Sequence, residues 1–113
     1  MDQHFTPVTD TAAVEDLFAS SADHPVVVFK HDPSCPISAT AFREMTRLPN
    51  EIAIIDVEHD QDVASAVTQR TGIRHESPQV IVLRNGAATW SASQFAITTD
   101  AVLAATHTEI GAR

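Results

Sequence analysis

Apolar residues alternate along this chain between helical and strand-like rhythms. Val14, Leu17 and Phe18 fall at i, i+3 and i+4 behind Asp10 and Thr11, either of which can cap a helix over about Thr11–Ser20. The run Val26-Val27-Val28-Phe29 after Pro25 is apolar on both faces, the pattern of a central buried strand. Ile37, Ala41, Phe42 and Met45 then give a helical stripe from Pro36 to about Arg47, closed by Pro49. Ile52–Val57 reads as a second strand. A third helix starts at Asp60 or Asp62, carries Val63, Ala66, Val67 and Arg70, and ends at Gly72. Pro78 opens the strand Val80–Leu83, and Asn85-Gly86 turns it into an antiparallel partner over Ala87–Ser91. Thr98 or Thr99 caps a last helix with Val102, Leu103 and Ile110 facing inward. A short strand around Phe5–Val8 completes the pattern. Strands joined through helices run parallel and the terminal hairpin does not, so the expectation is an α/β fold with a mixed sheet.

Composition narrows the function. No linker, repeat or low-complexity tract interrupts the 113 residues, so 1–113 reads as a single domain. Lys and Arg number 7 against 15 Asp and Glu, a net charge of −8. That balance argues against nucleic-acid binding and against docking on anionic lipid. No apolar run nears the roughly 20 residues that span a bilayer, and Met1-Asp2-Gln3-His4 does not open a signal peptide, so a cytoplasmic location is the default expectation. The chain has 1 cysteine, which excludes an internal disulfide and any zinc site built on several cysteines. No metal is expected from the 6 histidines either, because none are spaced as HxH or HxxxH.

That cysteine is placed to react. Ser34-Cys35-Pro36-Ile37-Ser38 joins a buried strand's loop to a helix start, where unpaired N–H groups and the helix dipole favour a thiolate. Proline suits the first helical position, which has no use for an N–H. Ser38, one turn on, is placed to donate a hydrogen bond to the sulfur, and Lys30 and His31 to add positive charge against Asp32. The competing reading is a buried structural cysteine. On pattern alone Pro78 is an ordinary trans proline at a strand start, Trp90 is sheet packing, and Asp56 leads into a helix.

These residues carry a resemblance. A strand, Cys-x-x-Ser at a helix start, Ile55-Asp56-Val57, a helix ending in Thr71-Gly72-Ile73-Arg74, Ser77-Pro78 before a strand, and Asn85-Gly86 together resemble thioredoxin. More narrowly, Phe29-Lys30-His31, Cys35-Pro36-Ile37-Ser38 and His75-Glu76-Ser77-Pro78-Gln79 resemble the monothiol, YtxJ-type bacilliredoxins, over about Phe5 to Ala105. The resemblance implies a thioredoxin-like fold, with a mixed sheet of four to five strands flanked by about four helices. It implies a cis Ser77–Pro78 bond that turns Ser77's backbone groups toward the sulfur, where a client chain pairs as an added strand. His75 and Glu76 would shape the pocket for the small thiol.

The implied activity is thiol–disulfide exchange, with Cys35 removing bacillithiol, the co-substrate, from S-bacillithiolated proteins. A separate flavin- and NADPH-dependent reductase would recycle the bacillithiol disulfide. Three departures stand out. Ser38 replaces the second cysteine of dithiol thioredoxins, Phe29 stands where thioredoxin keeps a buried Asp, and Gln94 and Phe95 replace a His and a Trp of the family pattern. Two rival readings remain: a glutaredoxin-like de-thiolase using glutathione or another small thiol, and a thioredoxin-fold adaptor without catalysis.

Overall fold

A computed structural model of the chain describes residues 4–107. Its elements run β1 (Phe5–Pro7), α1 (Thr11–Ser20), β2 (Val26–His31), α2 (Pro36–Met45), β3 (Ile52–Asp56), α3 (Gln61–Thr71), β4 (Gln79–Arg84), β5 (Ala87–Ser93), a short 3₁₀ turn over Gln94–Ala96, and α4 (Thr99–Thr106). The expected order holds, including the short first strand, and most boundaries agree within two residues. The second helix ends at Met45 rather than Arg47, and the hairpin's second strand runs on to Ser93. Ile110 lies outside the described residues.

The sheet is five-stranded in the order β1-β3-β2-β4-β5. β1, β3 and β2 run parallel, and β4 and β5 continue antiparallel. β2 therefore sits in the middle, which is why its first four residues are apolar on both faces.

Alternation along the strands divides the core into two layers. Val26 and Val28 of β2 join Ile81 and Leu83 of β4 against Val14 and Phe18 of α1 and Val63 and Val67 of α3. Val27, Phe29 and Val80 face the other way, onto Ala41 and Met45 of α2 and Val102 of α4, with half-buried Trp90 packed alongside. Burying each such side chain contributes about 1.5–3 kcal/mol, so the two layers outweigh any surface contact in holding the helices to the sheet.

Local sequence sets the ends. Asp10 accepts the Ala13 N–H at 2.8 Å to cap α1, and Thr98 accepts the Ala101 N–H at 3.1 Å to cap α4. Asp60 holds the cap position of α3 without a side-chain bond. Asn85 and Gly86 take φ values of 52° and 79°, the paired left-handed conformation that a tight hairpin requires. Among the described residues no helix is long and apolar enough to cross a membrane.

The parallel strands β2 and β3 end where the antiparallel β4 begins. One end of the sheet thus gathers the loop before Cys35, the turn after Asp56 and the loop leading to Pro78.

Candidate functional site

Cys35 occupies the N-cap position of α2, half-buried, with Pro36 at the first helical position. Its N–H donates to the Asp32 carbonyl at 3.1 Å, and its own carbonyl accepts the Ala39 N–H at 3.0 Å. The backbone is thus fixed on both sides of the sulfur-bearing residue. Proline contributes no N–H, and Ile37 and Ser38 lie too early in α2 for a carbonyl four residues back within the helix. The loop is tied across to the next strand's turn, where the Ser34 hydroxyl donates to Glu58 and to Asp32.

Ser38 does not take the role its spacing predicts. Its side chain is fully buried, and its Oγ accepts the Asp32 N–H at 2.9 Å and shares a 2.7 Å hydrogen bond with His31 Nδ1. The hydroxyl braces the loop in front of Cys35 rather than donating to the sulfur. The reason is helical spacing, since 38, 41 and 45 fall on one inward face with Ala41 and Met45.

The expected positive charge beside the cysteine is also absent. His31 packs between aromatic rings, its centroid 5.3 Å from Phe29 and 5.1 Å from Phe42. Burial pushes its imidazole below the ordinary histidine pKa, and the Asp56 and Asp32 carboxylates oppose this without reversing it. A neutral ring at pH 7 follows. Lys30, one residue earlier, points to the opposite face of the sheet and is wholly buried there.

Its ammonium group can only donate, and it donates to Thr68 Oγ1 and His75 Nδ1, each at 3.2 Å. Burial lowers its pKa from 10.5 to about 8. Counting residues along the chain places Lys30 near Cys35, and strand alternation takes it away.

The Ser77–Pro78 bond is cis, and Pro78 is buried. Ser77 keeps partial exposure, but its carbonyl already accepts a hydrogen bond of 3.0 Å from Gln94 Nε2. Gln94 reaches it from a backbone at φ 57°, with its own N–H donating to the Pro78 carbonyl at 3.1 Å. Phe95 beside it is 70% exposed, the one large apolar side chain so displayed among the described residues.

His75 and Glu76 part company. The His75 ring turns to Lys30 and lines a cleft against α3, and its pKa is lowered by burial first and by the Lys30 charge second, with Glu76 opposing. Glu76 is half-buried on the same loop. Asp56 opens the turn that precedes α3, accepting the N–H groups of Glu58 and His59 at 3.0 and 3.2 Å and bonding the His59 ring at 2.8 Å.

A half-buried thiol at a helix start, a buried cis-proline segment at the same end of a mixed sheet, and helices on both faces define a thioredoxin-fold thiol redox protein. Solved structures agree on the fold. One described as a putative oxidoreductase with a thioredoxin fold superposes with a TM-score of 0.83 at 23% identity, over 89% of this chain and 92% of that one. A mutant thioredoxin from Halobacterium salinarum gives 0.68 at 18%, over 92% and 88%. Trypanosoma brucei brucei thioredoxin gives 0.70 at 16%, over 96% and 92%. The particular family comes from the sequence profile of monothiol bacilliredoxin BrxC, which matches residues 6–102. The chain belongs to the monothiol bacilliredoxin family.

Proposed function

We propose that this protein removes a small thiol from S-thiolated protein cysteines, and that bacillithiol is that thiol. The observation that carries this reading is the single cysteine at the start of α2, with a buried serine hydroxyl one turn further on.

The chemistry follows from one thiol. The Cys35 thiolate attacks the sulfur of the small thiol in the client's mixed disulfide. The client's cysteine leaves as thiolate, reduced, and Cys35 carries the small thiol in a new disulfide. Ser38 cannot displace it, since a hydroxyl has no thiolate chemistry and this one is held by His31 and Asp32. A second molecule of the small thiol therefore attacks the adduct, releasing the Cys35 thiolate and a symmetrical small-thiol disulfide. A separate flavin- and NADPH-dependent reductase would return that disulfide to thiol. This cycle suits de-thiolation better than general disulfide reduction, which needs an internal resolving cysteine.

The client would approach beside Ser77 and Pro78, and its backbone N–H would replace the Gln94 amide on the Ser77 carbonyl. Gln94 thus holds the place of the incoming strand.

The decisive experiment offers the protein an S-bacillithiolated and an S-glutathionylated model substrate and identifies adducts on Cys35 by mass spectrometry. Bacillithiol on Cys35, with release of free substrate thiol, is the expected result. Glutathione alone on Cys35 would transfer the reading to a glutaredoxin-like de-thiolase. No adduct from either would leave a thioredoxin-fold adaptor and overturn the proposal.

A further inference from the structure

Lys30 has no part in the thiol chemistry, yet its burial is costly and calls for an account. A buried ammonium is tolerated when a carboxylate pairs with it. Among the described residues none does, and the two groups that accept from Nζ are the neutral Thr68 hydroxyl and the His75 ring. Both of those groups line the same open cleft of about 370 Å³, together with Val57, Gln61, Ala64 and Ser65. The amine therefore lies one side chain behind a cleft wall, on the opposite face of the sheet from His31.

The two partners differ in how firmly they are held. Thr68 sits in the middle of α3, and its hydroxyl also donates to the Ala64 carbonyl at 3.2 Å. His75 is an exposed residue on the loop before Pro78, where Arg74 is pinned by Gln79 Nε2 on its carbonyl at 3.0 Å. Gln79 lies directly across from Lys30 in the β2–β4 register, so its side chain shares that face, and its buried Oε1 has no partner among the described residues. The cleft is mostly apolar along its wall, with the buried cation behind Thr68 and His75 and an exposed imidazole at its edge. Glu76 acts electrostatically on His75 from the same loop and makes no ion pair with Nζ.

We propose that this cleft binds a small carboxylic acid as its anion, with the Lys30 ammonium as counter-ion and the His75 ring as the group that yields to it. The carboxylate takes the place of His75 Nδ1 as acceptor for Nζ and supplies the missing negative charge. Its second oxygen meets the Thr68 hydroxyl or the polar rim at Ser65 and Gln61. The short apolar body rests on Val57 and Ala64. A protein of net charge −8 repels polyanions, so the ligand class is a compact monocarboxylate rather than a phosphate-rich one. The inference stands apart from thiol transfer, since it concerns equilibrium binding in which Cys35 takes no part, although His75 borders both readings.

The test is titration of the full chain with benzoate and with its uncharged counterpart benzamide, followed by calorimetry and by backbone amide shifts. Benzoate should bind at least about tenfold more tightly than benzamide, with shifts concentrated at 64–68 and 72–77. Lys30→Met, which keeps length and burial, should abolish that preference while the spectrum elsewhere stays folded. Ser65→Trp, at an exposed position on the rim, should block both compounds without touching Lys30. His75→Ala should leave benzoate binding intact or tighter, since the competing ring is gone. Equal affinity for the two compounds would overturn the proposal, as would an unchanged preference in Lys30→Met. So would the absence of any saturable shift up to about 10 mM benzoate.

Discussion

Lys30 and His31 are neighbours in the chain but belong to different layers of the core, because a strand sends successive side chains to opposite faces. His31 enters the α2 layer, where burial among aromatic rings lowers its pKa and the Ser38 hydroxyl bonds it beside the loop that carries Cys35. Lys30 enters the α3 layer, where it is more deeply buried and keeps a proton-binding amine that no carboxylate among the described residues balances. One face uses its polar residues to fix a loop. The other holds an unbalanced charge against a cleft. The contrast teaches that residue type and sequence distance from a cysteine do not decide which groups serve it.

Removing the Lys30 charge should separate the two faces most strongly. A lysine whose pKa falls from 10.5 unfolded to about 8 folded binds its proton less well in the native state. Below pH 8 the native state bears the full cost of the buried charge. Between pH 8 and 10.5 the unfolded chain holds more protons, so stability rises with pH across that window. That shift corresponds to about 3 kcal/mol. Lys30→Met should therefore be more stable than the natural protein by about that amount in urea titrations at pH 7. The advantage should shrink above pH 8 and largely vanish by pH 10.5. A variant less stable than the natural protein at pH 7 would mean that the Thr68 and His75 bonds outweigh desolvation.

On the opposite face the sign reverses. Ser38→Ala removes the acceptor of the Asp32 N–H and the partner of His31 Nδ1, leaving both beside a buried wall. Unfolding free energy should fall by about 2 kcal/mol, the cost of unsatisfied buried groups. An unchanged midpoint would show that the hydroxyl does not brace the loop.

The smallest test asks whether the two layers are alike where no buried polar group is involved. Asp10→Ala uncaps α1 and Thr98→Ala uncaps α4, helices on opposite faces of the sheet. Each should cost about 1 kcal/mol in thermal or urea melts, and by similar amounts. A large inequality would show that the layers differ in cooperativity and not only in their polar residues.

Much of the fold is legible in the chain itself. The β-branched run at Val26–Phe29, the Asn85-Gly86 turn, the Asp10 and Thr98 caps and Gly72 at the end of α3 are local signals, each acting within a few residues. The cysteine's place at a helix start is legible for the same reason, because Pro36 and the preceding loop mark it. Ser38's inward direction is present in the spacing 38, 41 and 45, although its distance of one turn from Cys35 suggests a different role. Lys30's face is present too, since Val26, Val28 and Lys30 share one parity and Val27, Phe29 and His31 the other. An unbroken apolar run hides that parity, because neither side is marked as the exposed one. Gln94's bond to the Ser77 carbonyl has no signal at all, for it joins residues 17 apart through a left-handed backbone position.

By itself, then, the sequence determined the elements, their order, the mixed sheet and the single thiol, since these follow from periodicity, turn chemistry and a count of cysteines. Tertiary structure alone decided which polar groups meet. It joined Ser38 to His31, Lys30 to Thr68 and His75, and Ser77 to Gln94. The physical reason is that a hydrogen bond or an ion's desolvation depends on ångström distances across elements, while helix and strand formation depends on neighbours along the chain.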